Sequence, residues 1–158
     1  MIDGVVIKQL KKMSDLPDAP EQKNKTGFLL EILREDDGLL KKFGQTVFTV
    51  AYVGTIKAFH WHQKQDDLWF VASGQAKIVL YDRRVDSKTY KETQVIMTGE
   101  GDYKLILIPV GVAHGYQVLG QEPVLLFYHT SEMYNKDNPD EQRISFDDKT
   151  INFDWNKK

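Results

Sequence analysis

The chain is built from short apolar or alternating runs, each stopped by turn residues before it reaches the length of an ordinary helix. In order they read VVIKQL (5–10), GFLLEILRE (27–35), QTVFTVAYV (45–53), GTIKAFHWH (54–62), LWFVASG (68–74), QAKIVLYDRR (75–84), TQVIMTG (93–99), YKLILIPVG (103–111), YQVLG (116–120) and PVLLFYHTSE (123–132). They are rich in Val, Ile, Phe and Tyr, and strands at this spacing close on one another as an all-β sandwich or barrel. Helical periodicity is weak. LLEILREDDGLLKKF offers a turn or two of helix, but Gly38 interrupts it and GFLLEIL reads equally as a buried strand. Asp36, Asp37 and Gly38 predict a turn. The closing stretch, YNKDNPDEQRISFDDKTINFDWNKK, is polar with spaced aromatics and predicts a strand-poor tail lying over the barrel. With 158 residues and no internal repeat or low-complexity linker, the chain reads as one domain able to bury a sizeable core.

Composition removes several classes of function. There is no cysteine, so disulfides, thiolate metal sites and cysteine nucleophiles are excluded. A formal net charge of −2 supplies no field for nucleic acid or an anionic membrane, and neither is expected as a partner. No segment approaches the ~18 apolar residues of a membrane-spanning helix. The stretch MIDGVVIKQLKKMSDLPDAP lacks the apolar run of a secretory signal, so a cytoplasmic location is expected. No phosphate-binding glycine loop occurs in the strand and helix context it requires.

The chemistry gathers in GTIKAFHWH. Residues two apart on a strand share a face, so His60 and His62 project together with Ile56 and Ala58, while Lys57, Phe59 and Trp61 project the other way. Two inward imidazoles need partners for their ring nitrogens. From the residues alone they are a metal-ligand pair, a general base with a neighbour, or a polar pocket, and Asp67 adds a carboxylate to any of the three. His114 either joins them or hydrogen-bonds its own turn. His129 alternates with Tyr128, so one faces out if the other faces the interior. Trp61, Trp69 and Trp155 are read as core residues before sugar-stacking ones.

The spacing Gly54-x5-His60-x-His62-x4-Asp67-x6-Gly74 resembles the first motif of the cupin superfamily, with Asp where Glu is usual. Pro109-x-Gly111-x-x-His114 matches part of the second motif, with Val118 in place of its usual Asn. The resemblance implies a cupin-type jelly-roll β-barrel (a double-stranded β-helix) with a core barrel at about 27–132, a short N-terminal arm and a C-terminal aromatic tail. It also implies that His60, His62, Asp67 and His114 can hold a divalent metal; three imidazoles and a carboxylate suit Zn, Fe, Mn or Ni.

A longer resemblance, over roughly residues 27 to 155, is to the dTDP-4-dehydrorhamnose 3,5-epimerase family of sugar-nucleotide enzymes. It rests on Gly27-x-x-x-Glu31, Gln45, GTIKAFH, IPVGVAHGYQVLG and the tail FYHTSEMY…DEQRISFDD…INFDW. By this resemblance His60 is the catalytic base and Tyr128 the general acid. Tyr134 stacks on the nucleotide base, Lys57 stands where the family has a phosphate-binding Arg, and Glu31, Gln45 and His114 contact substrate. The implied reaction is epimerisation of a nucleoside-diphosphate 4-keto hexose in cell-surface polysaccharide synthesis, by proton abstraction next to the ketone and with no cofactor. A homodimer, with the N-terminal arm pairing across a two-fold, is expected.

Two departures keep other readings open. The family's Lys after the base is absent from Gln65-Asp66-Asp67-Leu68, and so is its C-terminal Asp that orients the base. Asp67 or His62 is expected to hold His60 instead. A metal-dependent cupin (an oxygenase or metal-assisted isomerase) and a non-catalytic carbohydrate-binding cupin are the alternatives.

Overall fold

The computed structural model of the chain describes residues 1–13 and 27–157, so part of the expected N-terminal arm lies outside the described residues. Among the described residues ten strands follow in order: β1 (Val6–Gln9), β2 (Gln45–Ala51), β3 (Ile56–His62), β4 (Asp67–Ser73), β5 (Gln75–Asp82), β6 (Thr93–Gly99), β7 (Lys104–Ile108), β8 (Val112–Leu119), β9 (Val124–Thr130) and β10 (Glu141–Arg143). They form two five-stranded sheets, ordered β1-β7-β4-β9-β2 and β10-β3-β8-β5-β6. This is the all-β jelly roll that the strand spacing and the cupin motifs predict. Among the described residues no helix is long and apolar enough to cross a membrane.

The inner strands β4 and β5 are buried on both faces, which is why LWFVA and IVLY are unbroken apolar runs. Facing inward, Trp69 and Val71 of β4, Ile78 and Leu80 of β5, Ile106 and Ile108 of β7 and Leu126 of β9 make the central core. Behind the first sheet, Leu68, Phe70 and Leu105 pack under Leu30, Ile32 and Leu33. Behind the second, Phe59, Val79, Tyr81 and Ala113 pack under Ile151 and Trp155 of the tail. The tail is tied down by the buried Lys77, whose ammonium donates to the carbonyls of Trp155 (2.9 Å) and Lys157 (2.7 Å).

Two expectations change. The stretch GFLLEILRE forms neither strand nor α-helix; it makes an isolated bridge, Met13 to Leu29, and leads into a 3-10 turn over Glu35–Asp37, closed by Gly38 at φ 64°. Leu30, Ile32 and Leu33 lie half-buried over the outside of the first sheet without pairing, while Phe28 and Leu29 stay exposed. The barrel is not confined to 27–132, because β1 and β10 each form the edge of a sheet. The N-terminal strand β1 pairs with β7 of its own chain, Val6 opposite Leu107 through Gln9 opposite Lys104.

Candidate active site

The site begins with an irregularity in β3. Against β8, Lys57 stands opposite Tyr116 and His60 opposite His114, so a three-residue step on β3 faces a two-residue step on β8. One extra residue reverses the alternation of faces. Lys57 therefore shares a face with His60, contrary to simple alternation, and both line the same cavity, Lys57 from an exposed position. Gly115 makes room for the kink: a Cβ there would lie 2.3 Å from the Cβ of Ala58.

Beyond the kink, His60, His62, Asp67 and His114 come together, with one ring nitrogen or carboxylate oxygen from each within 4.8 Å of all the others. Asp67 is 1% exposed. Its Oδ1 accepts from Gln65 Nε2 (2.7 Å) and its Oδ2 from Trp69 Nε1 (3.2 Å). The same Oδ2 lies 3.3 Å from His114 Nε2 and 3.8 Å from His62 Nε2. His114 Nδ1 donates to the Val112 carbonyl (2.9 Å), while its Nε2 is close to Asp67 without hydrogen-bond geometry. Among the described residues no hydrogen bond reaches the His60 ring. The expected direct support of His60 by Asp67 or His62 is thus absent; His60 is held by packing, its ring edge-on to His114 at 4.1 Å and tilted against Trp69 at 5.8 Å.

Burial shapes the protonation states. It pushes His60 well below its ordinary 6.5, helped by the His114 and His62 rings against the opposing pull of Asp67. His62 is lowered by burial too. Burial alone would raise Asp67, but His114, His62 and Gln65 outweigh it and bring the carboxyl to about 2. Tyr128 is raised, mainly by burial and then by Asp67 and Glu141. At neutral pH the wall therefore carries a bare imidazole at His60, a carboxylate at Asp67 and an intact phenol at Tyr128.

Two adjoining cavities, of about 370 Å³ and about 500 Å³, share His60, Tyr128 and Glu141 in their walls. The first also holds His62, Asp67, Gln45 and Tyr134, with Gln45 Oε1 accepting from the Tyr134 backbone N–H (3.1 Å). The second holds Lys57, Tyr116 and Arg143, the Lys57 ammonium donating to Thr49 Oγ1 (3.0 Å) and the Val50 carbonyl (3.1 Å). His114 supports His60 from behind and lines neither cavity. Glu31 is not brought to either cavity: it pairs with Arg34 at 3.1 Å, on the segment that covers the outside of the first sheet. His129 turns away from the interior and meets Thr46 Oγ1 at 2.8 Å.

The tail supplies residues that the sequence did not disclose. Strand β10 pairs with β3, placing Arg143 opposite His60 and Glu141 opposite His62. Asp140 accepts from the backbone N–H groups of Gln63, Lys64 and Gln65 and brings Oδ2 within 3.9 Å of His62 Nδ1. No signal in DEQR marks it as a strand. Only its polar residues among tail aromatics distinguish it.

A double-sheet barrel with imidazoles, a carboxylate and a phenol around a polar interior defines a small-molecule site of the cupin type. The chain belongs to the dTDP-4-dehydrorhamnose 3,5-epimerase family, a family of isomerases, whose model matches residues 19–158. It is 53% identical over 156 residues to the spore coat polysaccharide biosynthesis protein SpsL of Bacillus subtilis, covering 99% of this chain and 97% of that one. It is 26% identical to a dTDP-4-dehydrorhamnose 3,5-epimerase of Methanothermobacter thermautotrophicus, covering 98% and 80%. The crystal structure of a dTDP sugar isomerase from Desulfovibrio desulfuricans superposes with a TM-score of 0.85 at 25% identity, covering 98% of this chain and 92% of the other.

Proposed function

We propose that this protein inverts a carbon next to the ketone of a nucleoside-diphosphate 4-keto hexose, within cell-surface polysaccharide synthesis. The observation that carries the reading is the placing of His60 and Tyr128 on the wall common to both cavities. A C–H bond beside a ketone is acidic because its electrons can move onto the carbonyl oxygen. The neutral His60 ring takes that proton, the enolate forms, and the Tyr128 hydroxyl returns a proton to the carbon from the other side. The ketone is restored with inverted configuration, and solvent resets both groups. No electrons are gained or lost overall, so the chemistry requires no redox cofactor. Both groups hold the form the reaction needs at neutral pH, His60 bare and Tyr128 protonated.

The remaining roles follow the same reading. Lys57 and Arg143 bring positive charge to the second cavity, suited to the diphosphate and to developing enolate charge. Gln45 and Tyr134 at the first cavity suit the sugar and the nucleobase. A homodimer is supported by β2, an open sheet edge, and by the exposed Phe48 and Phe127 stacked at 4.7 Å beside it. A cytoplasmic location completes the reading. The test is incubation with a dTDP-linked 4-keto-6-deoxyhexose in heavy water, followed by NMR. Deuterium at a ring carbon beside the ketone is expected; intact, unlabelled substrate would count against the reading.

A further inference from the structure

We propose that Asp140 is a positioning residue that latches the tail across the mouth of the first cavity, and that the latched form is the one that binds the nucleotide part of the substrate. The latch stands on the geometry alone, and its role in binding rests on the epimerase reading above.

The tail leaves the first sheet at the end of β9 and enters the second as β10, so it has to cross from one sheet to the other. It crosses at the first cavity, whose wall includes Met133, Tyr134, Asn138 and Pro139. On the first-sheet side the crossing is tied at the start of β2. Gln45 Oε1 accepts from the Tyr134 N–H (3.1 Å), and Lys42 Nζ donates to both carboxylate oxygens of Glu132 (2.9 and 2.8 Å). On the second-sheet side Asp140 makes the tie, to the loop that joins His62 to Asp67. Its Oδ1 accepts from the Gln63 N–H (3.1 Å), and its Oδ2 accepts from those of Lys64 (2.9 Å) and Gln65 (3.1 Å). Between the two ties, residues 135–139 are exposed and hold neither strand nor helix. They form a strap fixed at both ends.

Three successive backbone N–H groups turned toward one point make a concave anion site. Here the chain fills it with its own carboxylate, from a residue 75 positions beyond Gln65. The filling leaves Asp140 little capacity for a ligand. A carboxylate only accepts, at about four lone-pair sites; three N–H groups are served, and Oδ2 also lies 3.9 Å from His62 Nδ1. An anionic diphosphate would in any case be repelled by it. Asp140 therefore acts on the cavity by holding its wall. The same latch steadies the residue beneath the site, because Gln65, held through its N–H, is the residue whose amide holds Asp67 (2.7 Å). These bonds lie at or near the surface, where water can take the place of the carboxylate. Losing Asp140 frees the strap and the loop locally, without unfolding the barrel.

Hydrogen–deuterium exchange of the full chain tests the latch, and dTDP tests its use. In Asp140→Ala the amides of residues 63–65 and of β10 are expected to exchange at least about tenfold faster, the loss that follows from removing a charged acceptor. The amides of residues 78–80, in the middle of β5, are expected to match the parent and so report an intact barrel. Asp140→Asn, which keeps one acceptor oxygen, falls between. Equal exchange at residues 63–65 in the parent and in Asp140→Ala overturns the latch. Affinity for dTDP, by calorimetry, is expected to fall at least about threefold in Asp140→Ala, because binding then has to close the strap as well. Faster exchange with unchanged dTDP affinity overturns the role in binding. Weaker affinity with unchanged exchange makes Asp140 a direct contact and overturns the proposal. A parent chain that binds no dTDP, with the exchange response of Asp140→Ala in place, upholds the latch and overturns the nucleotide-sugar reading instead.

Discussion

Replacing Gly115 with alanine tests how the barrel aims its base. The added Cβ would stand 2.3 Å from Ala58 Cβ, 2.6 Å from Ala58 Cα and 2.8 Å from the Lys57 carbonyl oxygen. Carbon atoms pack comfortably at about 3.5–4.0 Å, so β3 must retreat from β8 by more than about 1 Å. It is not free to do so. Phe59 exchanges backbone hydrogen bonds with Ile144 on its other side (2.8 and 2.9 Å), and its ring is pinned under Trp155 at 5.4 Å. Over-packing against such a wall costs about 1–3 kcal/mol. The larger effect falls on function, because the residues pushed aside lie between Lys57 and His60. A reacting group displaced by about 1 Å loses about 100-fold in rate. Urea unfolding measures the first quantity and the rate of deuterium incorporation the second. Stability within about 0.5 kcal/mol of the parent, with an unchanged exchange rate, would refute the claim that Gly115 positions the kink.

Two further predictions concern pH and buried charge. With His60 lowered below 6.5, its neutral form persists on acidification, so the exchange rate holds as pH falls through 6.5 and drops only below it; a fall centred at or above 6.5 would contradict the burial of this ring. Asp82 is fully buried, and burial is outweighed by Arg84, Ser87 and Thr89, which hold it well below its ordinary 3.8. Its contribution is therefore present above 3.8 and lost as pH falls below that value toward its folded pKa. Asp82→Asn is expected to lose about 2 kcal/mol at neutral pH, by urea unfolding, and to flatten the acid limb of the stability profile. An equally steep limb would show that other carboxylates govern it.

How much was legible in the sequence follows from which signals are local. Strands β2 through β7, the second half of β8 and β9 were readable because alternation and turn residues lie within a few positions of one another, whereas residues 112–115, read as a turn, are the first half of β8. The GFLLEIL stretch misled because Leu30, Ile32 and Leu33 are half-buried by lying across a sheet, and apolarity alone does not separate that from pairing. Lys57 was assigned to the wrong face because one extra residue in β3 reverses the parity, and nothing in TIKAFH announces it. The imidazoles and Asp67 were recognisable from their spacing, but the pairing of Asp67 with His114 instead of His60 depends on how β4 and β8 meet across the interior. Asp140, Glu141 and Arg143 stayed hidden because three polar residues make too short a strand to show a period. Glu31 matched by motif spacing alone, and its segment runs along the opposite side of the first sheet.

The account stands or falls on whether one imidazole removes a proton from a ketone-bearing sugar. The most direct measurement compares deuterium incorporation by the parent chain and by His60→Asn, with the same dTDP-linked keto sugar in heavy water and with chelator present. The account predicts label beside the ketone with the parent and a loss of at least about 100-fold in the variant. Equal labelling by both proteins, or none by the parent, would contradict it.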